Sequence, residues 1–344
     1  MIPNKRALQL TVFLTLALLT ACEPLAPPLT PEVIVVTDTP ETGGASAADV
    51  LLDAGIVAQV NTPVPTVTPT PTPTPIPTGT PFACDESTGQ IVADTLASAI
   101  LGADVPYTMY LPPCFYESWR RYPYVVLLHG TGYDEEMWLD LGVATALDKG
   151  IRTGTLPPMV LVMPDGGLLA ENNEAPVEQS WEAVILDELL PALEDYTTGY
   201  CLWGAPEGRA IGGISRGGFW AFSIALRHPE QFDALGGHSP HFDPDHVGED
   251  VNPLDLASRP GLAKSAPRIW LDNAAEDPVG PMVEQMAQTL QQRGVEHDYI
   301  IHPTGAHEMS YWMAHVGEYL EFYGQGWPVD VLALPSCEDP IPVG

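Results

Sequence analysis

From residue 107 onward the chain alternates short apolar runs, rich in β-branched and aromatic residues, with longer segments in which apolar residues recur every three or four positions. The short runs predict buried strands, and the helical period predicts amphipathic helices. The predicted strands are 107–111, 124–129, 159–163, 209–213, 234–238, 268–272 and 298–302. The predicted helices are 135–149, 177–196, 217–227, 281–293 and 310–323.

Strand and helix alternate along this part of the chain, which predicts an α/β fold. The expected architecture is a mostly parallel central sheet with helices on both faces. In sheets of this kind, catalytic groups collect beyond the carboxyl ends of the strands. Candidate chemistry is therefore expected in the loops that follow the strands.

The N-terminal residues have a different pattern. Lys5 and Arg6 precede an apolar segment, residues 7–19, that is short for a membrane span and is followed by Thr-Ala-Cys. This resembles a bacterial lipoprotein signal, with residues 1–21 as the signal peptide and Cys22 as the acylated new N-terminus. An ordinary cleaved signal peptide is the alternative. The expected location is extracytoplasmic, as a cell-surface lipoprotein anchored to a bacterial membrane through Cys22.

Residues 22–81 are rich in Pro and Thr, and Thr and Pro alternate over residues 68–75 near the end of this segment. A segment of this composition cannot bury enough apolar surface to fold, and its prolines favour an extended spacer. Residues 22–81 are therefore predicted to be a lipidated cysteine followed by a disordered stalk. Residues 82–344 are predicted to be one folded domain.

The charge balance excludes one class of partner. The chain of 344 residues has a formal net charge of -32 and only 13 Lys and Arg residues. Such an excess argues against a nucleic-acid partner and against basic docking on anionic lipid head groups. A large negative charge is instead typical of a protein that must stay soluble after export.

Apart from Cys22, the chain has an even number of cysteines, which predicts two disulfides in an exported protein. The preferred pairing joins Cys84 to Cys114 and Cys201 to Cys337, because the first two flank one short N-terminal segment. The other two pairings stay open. No two cysteines have Cys-x-x-Cys spacing, so we expect no zinc site built on cysteine, and no metal elsewhere.

The segment Gly213-Ile214-Ser215-Arg216-Gly217 lies between a predicted strand and a predicted helix. It matches G-x-S-x-G, in which a serine is held on a sharp turn above the sheet edge while the glycines let the chain double back. Ser215 is therefore the predicted nucleophile. The backbone N–H of Arg216 is the predicted first donor to the oxyanion of the transition state.

An activated serine needs a base and an acid that orients the base, and in this class the acid precedes the histidine along the chain. Asp272 closes a predicted strand, and Asp277 lies in the loop that follows it. Asp277 is preferred, because a loop carboxylate can turn toward a histidine. Asp272 stays the alternative acid, and otherwise we expect it to bind the backbone of that loop.

Four histidines follow the acid, at 297, 302, 307 and 315. His302 lies at the end of the last predicted strand and His315 lies within a predicted helix. His307 lies in the loop between them, at the sheet edge where the base must be. His307 is therefore the predicted base.

The glycine-rich turn His129-Gly130-Thr131-Gly132 follows an earlier strand and is expected to supply the second oxyanion donor. Thr131 is preferred, with Gly130 and Gly132 as alternatives. His129 and Gly130 are also expected beside the substrate pocket. His238, at the end of another strand, is a further candidate for the pocket.

Several motifs together resemble the "Putative esterase" family of the α/β-hydrolase superfamily, which includes esterase D-like and feruloyl-esterase-like enzymes. The motifs lie at residues 110–113, 122–130, 163–166, 188–191, 213–218, 227–229 and 305–307. The resemblance covers roughly residues 107–323. It implies an α/β-hydrolase fold and a carboxylic ester hydrolase that needs no cofactor. It also implies a nucleophile at Ser215, an acid at Asp277 and a base at His307.

Two positions depart from the family pattern. The loop before Asp277 lacks the usual glycine, which weakens the choice between Asp277 and Asp272. Arg216 stands where many relatives have methionine. Its side chain is expected to be solvated or structural, rather than to meet an anionic group of a substrate.

Two further groups have a simple interpretation. Tryptophans on predicted helices are expected in the core rather than stacked on a substrate; they are Trp181, Trp220 and Trp312. An acidic run has no spacing of a calcium loop and is expected to be solvated surface; it comprises Asp243, Asp245, Glu249 and Asp250.

The predicted function is that of a serine carboxylic ester hydrolase acting through an acyl-enzyme on an extracytoplasmic ester, either a carbohydrate-linked acyl ester or a feruloyl-type ester. The alternatives are an acyltransferase of the mycolyltransferase type and a non-catalytic surface-binding module on a hydrolase scaffold. The expected partners are a small-molecule or polysaccharide-linked ester and the membrane, without nucleic acid. No cofactor is expected.

Overall fold

The computed structural model describes residues 84–171, 177–242 and 250–338. The predicted signal peptide, Cys22 and the stalk lie outside these residues, as do Asp243, Asp245 and Glu249 of the acidic run. Within the described part of the chain, no helix is both long and apolar enough to cross a membrane.

Eight strands form one sheet in the order β1-β2-β4-β3-β5-β6-β7-β8. The six strands from β3 to β8 are parallel, whereas β2 is antiparallel to both of its neighbours, β1 and β4. The strands are β1 Gln90–Ser98, β2 Ala103–Leu111, β3 Tyr124–Leu128, β4 Val160–Pro164, β5 Arg209–Ile214, β6 Ala234–His238, β7 Arg268–Ala274 and β8 Asp298–His302. This mostly parallel sheet confirms the predicted fold class.

The helices follow the strands in the alternation that the sequence predicts. The α-helices are α1 Phe115–Ser118, α2 Met137–Asp140, α3 Val143–Thr153, α4 Gly167–Ala170, α5 Trp181–Ala183, α6 Leu190–Glu194, α7 Arg216–Arg227, α8 Pro253–Ala257, α9 Gly280–Gln292 and α10 Met309–Tyr323. A π-helical segment, Val184–Leu189, joins α5 to α6. Short 3-10 turns occupy Val177–Gln179, Tyr196–Thr198, Pro206–Gly208, Leu262–Lys264 and Val331–Ala333.

The sheet separates two apolar cores, because successive residues of a strand point to opposite faces. In β3, Val126 and Leu128 contribute to the core that packs against α7, α8 and α9. Val125 and Leu127 contribute to the other core, beneath α3 and α10. Since both faces of β3 are covered, all five of its residues are buried and its sequence is a continuous apolar run.

Two predicted elements differ in detail from the structure, and β1 was not predicted at all. The predicted helix 135–149 is interrupted at Gly142, whose φ of 82° ends one short helix and begins α3. The predicted helix 177–196 begins as a 3-10 turn and continues as α5, the π-helical segment and α6. Strand β1 lies at the sheet edge with most of its residues exposed, so its sequence lacks an apolar run.

Both preferred disulfides are present. Cys84 is bonded to Cys114, and Cys201 is bonded to Cys337. The first attaches the beginning of the described chain to the segment after β2. The second attaches the C-terminal segment to the loop before β5, across a sequence separation of 136 residues.

Candidate active site

Ser215 lies at the turn between β5 and α7, with φ 54° and ψ -113°. A side chain other than glycine seldom adopts such a backbone conformation, which is strained and persists only where neighbouring structure enforces it. Two backbone hydrogen bonds do so. The N–H of Ser215 donates to the carbonyl oxygen of His238 at 3.1 Å, and the N–H of His241 donates to the carbonyl oxygen of Ser215 at 2.9 Å.

The two glycines of the motif let α7 approach the sheet closely. A Cβ atom on Gly217 would lie 2.2 Å from the carbonyl oxygen of Leu128, and one on Gly213 would lie 2.3 Å from the carbonyl carbon of Gly217. Contacts this short are excluded for real side chains. The spacing G-x-S-x-G therefore follows from the packing of the turn against β3.

His307 lies in the loop between β8 and α10, and its ring joins Ser215 to Asp277. Its Nε2 is 2.9 Å from Oγ of Ser215, and its Nδ1 is 3.0 Å from Oδ1 and 3.2 Å from Oδ2 of Asp277. An ionised carboxylate only accepts hydrogen bonds, so Nδ1 carries the proton and Nε2 is left to accept one from the serine hydroxyl. The three residues thus stand in the arrangement of nucleophile, base and orienting acid.

Asp277 and His307 each make a further contact with a neighbouring residue. The backbone N–H of Val279 donates to Oδ1 of Asp277 at 2.9 Å, and the carboxylate is fully buried. The rings of Trp312 and His307 pack in a T-shaped arrangement, with ring centroids 5.1 Å apart. The side chain of His307 remains 25% exposed, so a substrate can reach the base from solvent.

Asp272, the alternative acid, does not contact His307 through its side chain in the described structure. It is fully buried and its Oδ1 is 2.7 Å from Nδ1 of His238, while the hydroxyl of Tyr311 donates to its Oδ2 at 2.6 Å. Trp270 and Tyr319 donate to the same carboxylate at 3.0 and 3.1 Å. The expectation that Asp272 binds the backbone of the following loop is therefore wrong for its side chain, which is bound by four other side chains.

The environment of Asp272 keeps this buried carboxyl ionised. Burial alone raises the pKa of a carboxyl group, because it disfavours the charged form. Here the charge of His238 and the hydrogen bonds from His238 and Tyr311 outweigh burial and hold the pKa of Asp272 below its ordinary value. The pair Asp272–His238 is thus a buried, hydrogen-bonded structural pair that lies apart from the catalytic residues.

Three tyrosines on α10 complete this buried network and were not predicted. Tyr311 and Tyr319 bind Asp272, and the hydroxyl of Tyr323 is 2.8 Å from Nε2 of His238. Their spacing of four and eight residues places them on one helix face, with a polar atom at each tip. Three tyrosines on one otherwise apolar helix face were the feature of the sequence that could have predicted buried polar partners for their hydroxyls.

The turn after β3 passes beside the nucleophile, as expected for an oxyanion turn. A Cβ atom on Gly130 would lie 3.5 Å from Cβ of Ser215. The backbone N–H of Gly130 donates to the sulfur of Met137 at 3.3 Å, which leaves the next N–H groups of the turn as candidates. Thr131 is the first of these, and its side chain points away to donate to Glu171 at 3.1 Å.

Two histidines predicted beside the substrate pocket make contacts within the fold. His238 is completely buried in the network of Asp272 and has no surface that a substrate could contact. His129 is buried as well, and its ring joins two turns: Nδ1 is 2.9 Å from the carbonyl oxygen of Gly130, and the N–H of Gly166 donates to Nε2 at 3.0 Å. The prediction for His238 was wrong, because a strand-end histidine can point into the fold as well as out of it; that for His129 stays a prediction.

Arg216 is structural, as expected. Its Nε donates to the carbonyl oxygen of Ala170 at the end of α4 at 2.8 Å, and its guanidinium lies over the ring of Phe219 at 4.6 Å. The three tryptophans are buried in agreement with the prediction. In the acidic run, the one described residue, Asp250, is exposed and pairs with Arg259 at 3.1 Å.

The fold and the geometry of this site together define the class of protein. A serine sits on a strained strand-to-helix turn, its partners follow in the order acid and then histidine, and all three meet at the carboxyl edge of a mostly parallel sheet. That combination defines a serine hydrolase of the α/β-hydrolase fold.

The family model described as "Esterase: Putative esterase" matches residues 98–322. Because the match covers more than half of the chain, the protein belongs to this esterase family. An esterase of Mycobacterium tuberculosis (strain ATCC 25618 / H37Rv) is 31% identical over 148 residues, which are 41% of this chain and 30% of that protein. An endo-1,4-beta-xylanase/feruloyl esterase of Xylanibacter ruminicola is 32% identical over 126 residues, which are 34% of this chain and 16% of that protein.

Solved structures show the same fold. A ferulic acid esterase superimposes with a TM-score of 0.62 at 24% identity, covering 69% of this chain and 98% of its own. An S-formylglutathione hydrolase of Staphylococcus aureus superimposes with a TM-score of 0.58 at 16% identity, covering 71% of this chain and 100% of its own. The described domain therefore has the α/β-hydrolase fold of these esterases.

Proposed function

We propose that the protein is an extracytoplasmic carboxylic ester hydrolase that works through an acyl-enzyme on Ser215. The observation that carries the proposal is the hydrogen-bonded chain Ser215–His307–Asp277, with 2.9 Å between Oγ and Nε2 and 3.0 Å between Nδ1 and Oδ1. A serine is a weak nucleophile unless an adjacent base removes its proton as it attacks. The chain provides that base and the carboxylate that orients it.

The reaction follows from this geometry in two halves. Oγ of Ser215 attacks the ester carbonyl carbon while its proton passes to Nε2 of His307, and His307 then returns the proton to the departing alcohol. A water molecule repeats the attack on the acyl-enzyme, releases the acid and restores the serine. Throughout, Asp277 stabilises the imidazolium and keeps the proton on Nδ1.

The negative charge that forms on the carbonyl oxygen needs fixed N–H donors. We assign this role to the backbone N–H of Arg216, at the first turn of α7, and to that of Thr131 in the turn beside Ser215. The N–H of Gly130 is directed to Met137, which favours Thr131 over Gly130. Each such donor contributes about 3–4 kcal/mol to the transition state.

The proposed substrates are carbohydrate-linked acyl esters, including feruloyl-type esters. The support is the likeness to proteins named as feruloyl or ferulic acid esterases. The proposed address is the outer side of a bacterial membrane, through acylation of Cys22 and a Pro/Thr-rich spacer. Its two disulfides are in keeping with an oxidising compartment.

The address is tested by fractionating the producing cells after labelling with palmitate. We expect label on the wild-type chain in the membrane fraction, and neither label nor membrane association for Cys22→Ser. A wild-type chain that remains unlabelled would contradict the proposed anchor.

The activity is tested by comparing wild type with Ser215→Ala on a panel of p-nitrophenyl and feruloyl esters. We expect kcat to fall by roughly 10⁶-fold, with an unchanged circular dichroism spectrum. Ser310→Ala, which removes an exposed hydroxyl at the start of α10, is the matched control and should retain activity.

Labelling with a fluorophosphonate probe separates the alternatives. The proposal requires that the wild type be labelled and that Ser215→Ala not be labelled. An unlabelled wild type would indicate a non-catalytic binding module. Labelling accompanied by acyl transfer to a sugar or alcohol in preference to water would indicate an acyltransferase.

A further inference from the structure

Three side chains that commonly bind metals converge where β8 meets α10, outside the proposed catalytic residues. His302 ends β8, and His315 and Glu318 lie on α10. The latter two are three residues apart, so they lie on the same side of the helix. The fold therefore brings together two imidazoles and one carboxylate from two different elements.

The distances among these groups suit a single small cation. Nε2 of His302 is 3.5 Å from Oε2 of Glu318, and Nδ1 of His315 is 3.0 Å from Oε1 of Glu318. In all, one ligand atom from each residue lies within 4.8 Å of the other two. A tetrahedral zinc ion with bonds of about 2.0–2.1 Å holds neighbouring ligand atoms roughly 3.3–3.4 Å apart. The two distances to Glu318 lie on either side of that spacing but go to different oxygens, so a bound ion requires the carboxylate to turn one oxygen toward both imidazoles.

The donor set is also one that zinc prefers. Two histidines and one glutamate fill three positions of a tetrahedral site and leave the fourth to water. His302 is buried, whereas the side chain of Glu318 is 43% exposed and that of His315 is 17% exposed. The site thus has a fixed inner ligand and an opening through which an ion can enter.

The imidazoles of His302 and His315 stack, with ring centroids 3.6 Å apart and planes 31° apart. Two rings that bind the same ion must diverge more than this. The ring of His315, the more exposed of the two, is the one that must turn outward. Binding therefore requires at least a rotation of the His315 side chain.

We propose that His302, His315 and Glu318 form a structural site for one zinc-class divalent cation. A bound ion would join the end of β8, which precedes the loop that carries His307, to α10, which follows it. It would stabilise the conformation of that loop without contacting Ser215. The proposal rests on these three residues and is independent of the esterase activity.

Calorimetric titration with ZnCl₂ tests the site in the full-length chain, purified without a histidine tag. All proteins carry Cys22→Ser, which removes the one cysteine that is in neither disulfide. We expect one ion per chain and a thermal midpoint that rises by roughly 5 °C or more at about 100 times Kd. Glu318→Gln and His315→Gln should each weaken binding at least about tenfold.

The matched control is His297→Gln, which removes a partly buried histidine that bonds to the carbonyl oxygen of Val295 instead. It should bind zinc as tightly as the parent protein. The absence of one-to-one binding in the parent would overturn the site and leave only a hydrogen-bonded cluster. Equal affinity of Glu318→Gln and the parent would overturn it too, even if zinc binds elsewhere.

Discussion

Asp272 and Asp277 lie five residues apart, yet their carboxylates bind different histidines. Asp272 lies within β7 and bonds to His238, which is completely buried. Asp277 lies beyond the end of β7 and bonds to His307, which is partly exposed and reaches Ser215. One strand and its loop therefore supply the aspartates of two His–Asp pairs. The pair with Asp272 is buried and stabilises the fold, whereas the pair with Asp277 includes the partly exposed His307. Substitution of each aspartate should separate these roles.

Asp277→Asn should lower kcat for ester hydrolysis by about 10⁴-fold. The amide NH₂ can donate to Nδ1 of His307, which favours the tautomer with its proton on Nε2. In that tautomer the ring cannot accept the proton of Ser215. Steady-state kinetics on a p-nitrophenyl ester measure the loss, and a urea unfolding curve close to that of the wild type excludes misfolding. A loss smaller than about tenfold would contradict the role assigned to Asp277.

Asp272→Asn should instead destabilise the protein by about 3–5 kcal/mol, because it leaves His238 buried without its charged partner. An amide is also a poorer acceptor for the hydroxyls of Tyr311 and Tyr319. The free energy of unfolding in urea measures the effect. A stable Asp272→Asn variant with very low kcat would reverse the assignment and make Asp272 the catalytic acid.

The contribution of Asp272 to stability should depend on pH. Since the pKa of Asp272 is lowered in the folded protein, its carboxylate stabilises the fold above the unfolded pKa of about 3.8. That contribution is lost as the pH falls from this value through the lower folded pKa. A carboxyl-carbon NMR titration of the folded wild type should therefore show Asp272 still ionised at pH 3.8 and gaining its proton only below that value. An Asp272 carboxylate that gains its proton above pH 3.8 would contradict a lowered pKa.

The catalytic geometry could be predicted because each candidate lies in a local pattern with a physical cause. Ser215 is flanked by glycines that the packing against β3 requires, and His307 follows a strand whose carboxyl end must lie at the same edge. The strands β3 to β7 were predictable for a similar reason. A parallel strand covered on both faces is a continuous apolar run, which is visible in the sequence.

The remaining features depend on contacts that no local pattern contains. Strand β1 is mostly exposed, and only its pairing with β2 defines it. The direction of His238 depends on Asp272 from the neighbouring strand and on Tyr323 from a helix 85 residues away. A histidine at a strand end looks the same in sequence whether it enters the substrate pocket or the core. The tertiary contacts with Asp272 and Tyr323 direct the side chain of His238 into the core.

The side chain of Tyr323 fills a space against the sheet that glycines in β5 and β6 leave open. Its ring is fully buried and its hydroxyl reaches His238 past β5 and β6, at positions where both strands have glycine. A Cβ atom on Gly236 would lie 2.1 Å from the hydroxyl oxygen of Tyr323 and 2.7 Å from Cζ. The tyrosine is enclosed by packed side chains and cannot move aside freely.

Gly236→Ala should therefore destabilise the protein by about 1–3 kcal/mol or more, as overpacking of a filled core does. Gly317→Ala, within α10, is the matched control, since a Cβ atom there meets no atom within 4 Å. Because alanine is the better helix former, Gly317→Ala should raise stability by about 0.5–1 kcal/mol. Urea unfolding of both variants measures these opposite signs. Tyr323→Phe in the Gly236→Ala background removes the closest atom and should recover part of the loss, whereas equal stability of Gly236→Ala and wild type would show that Tyr323 does not occupy this space.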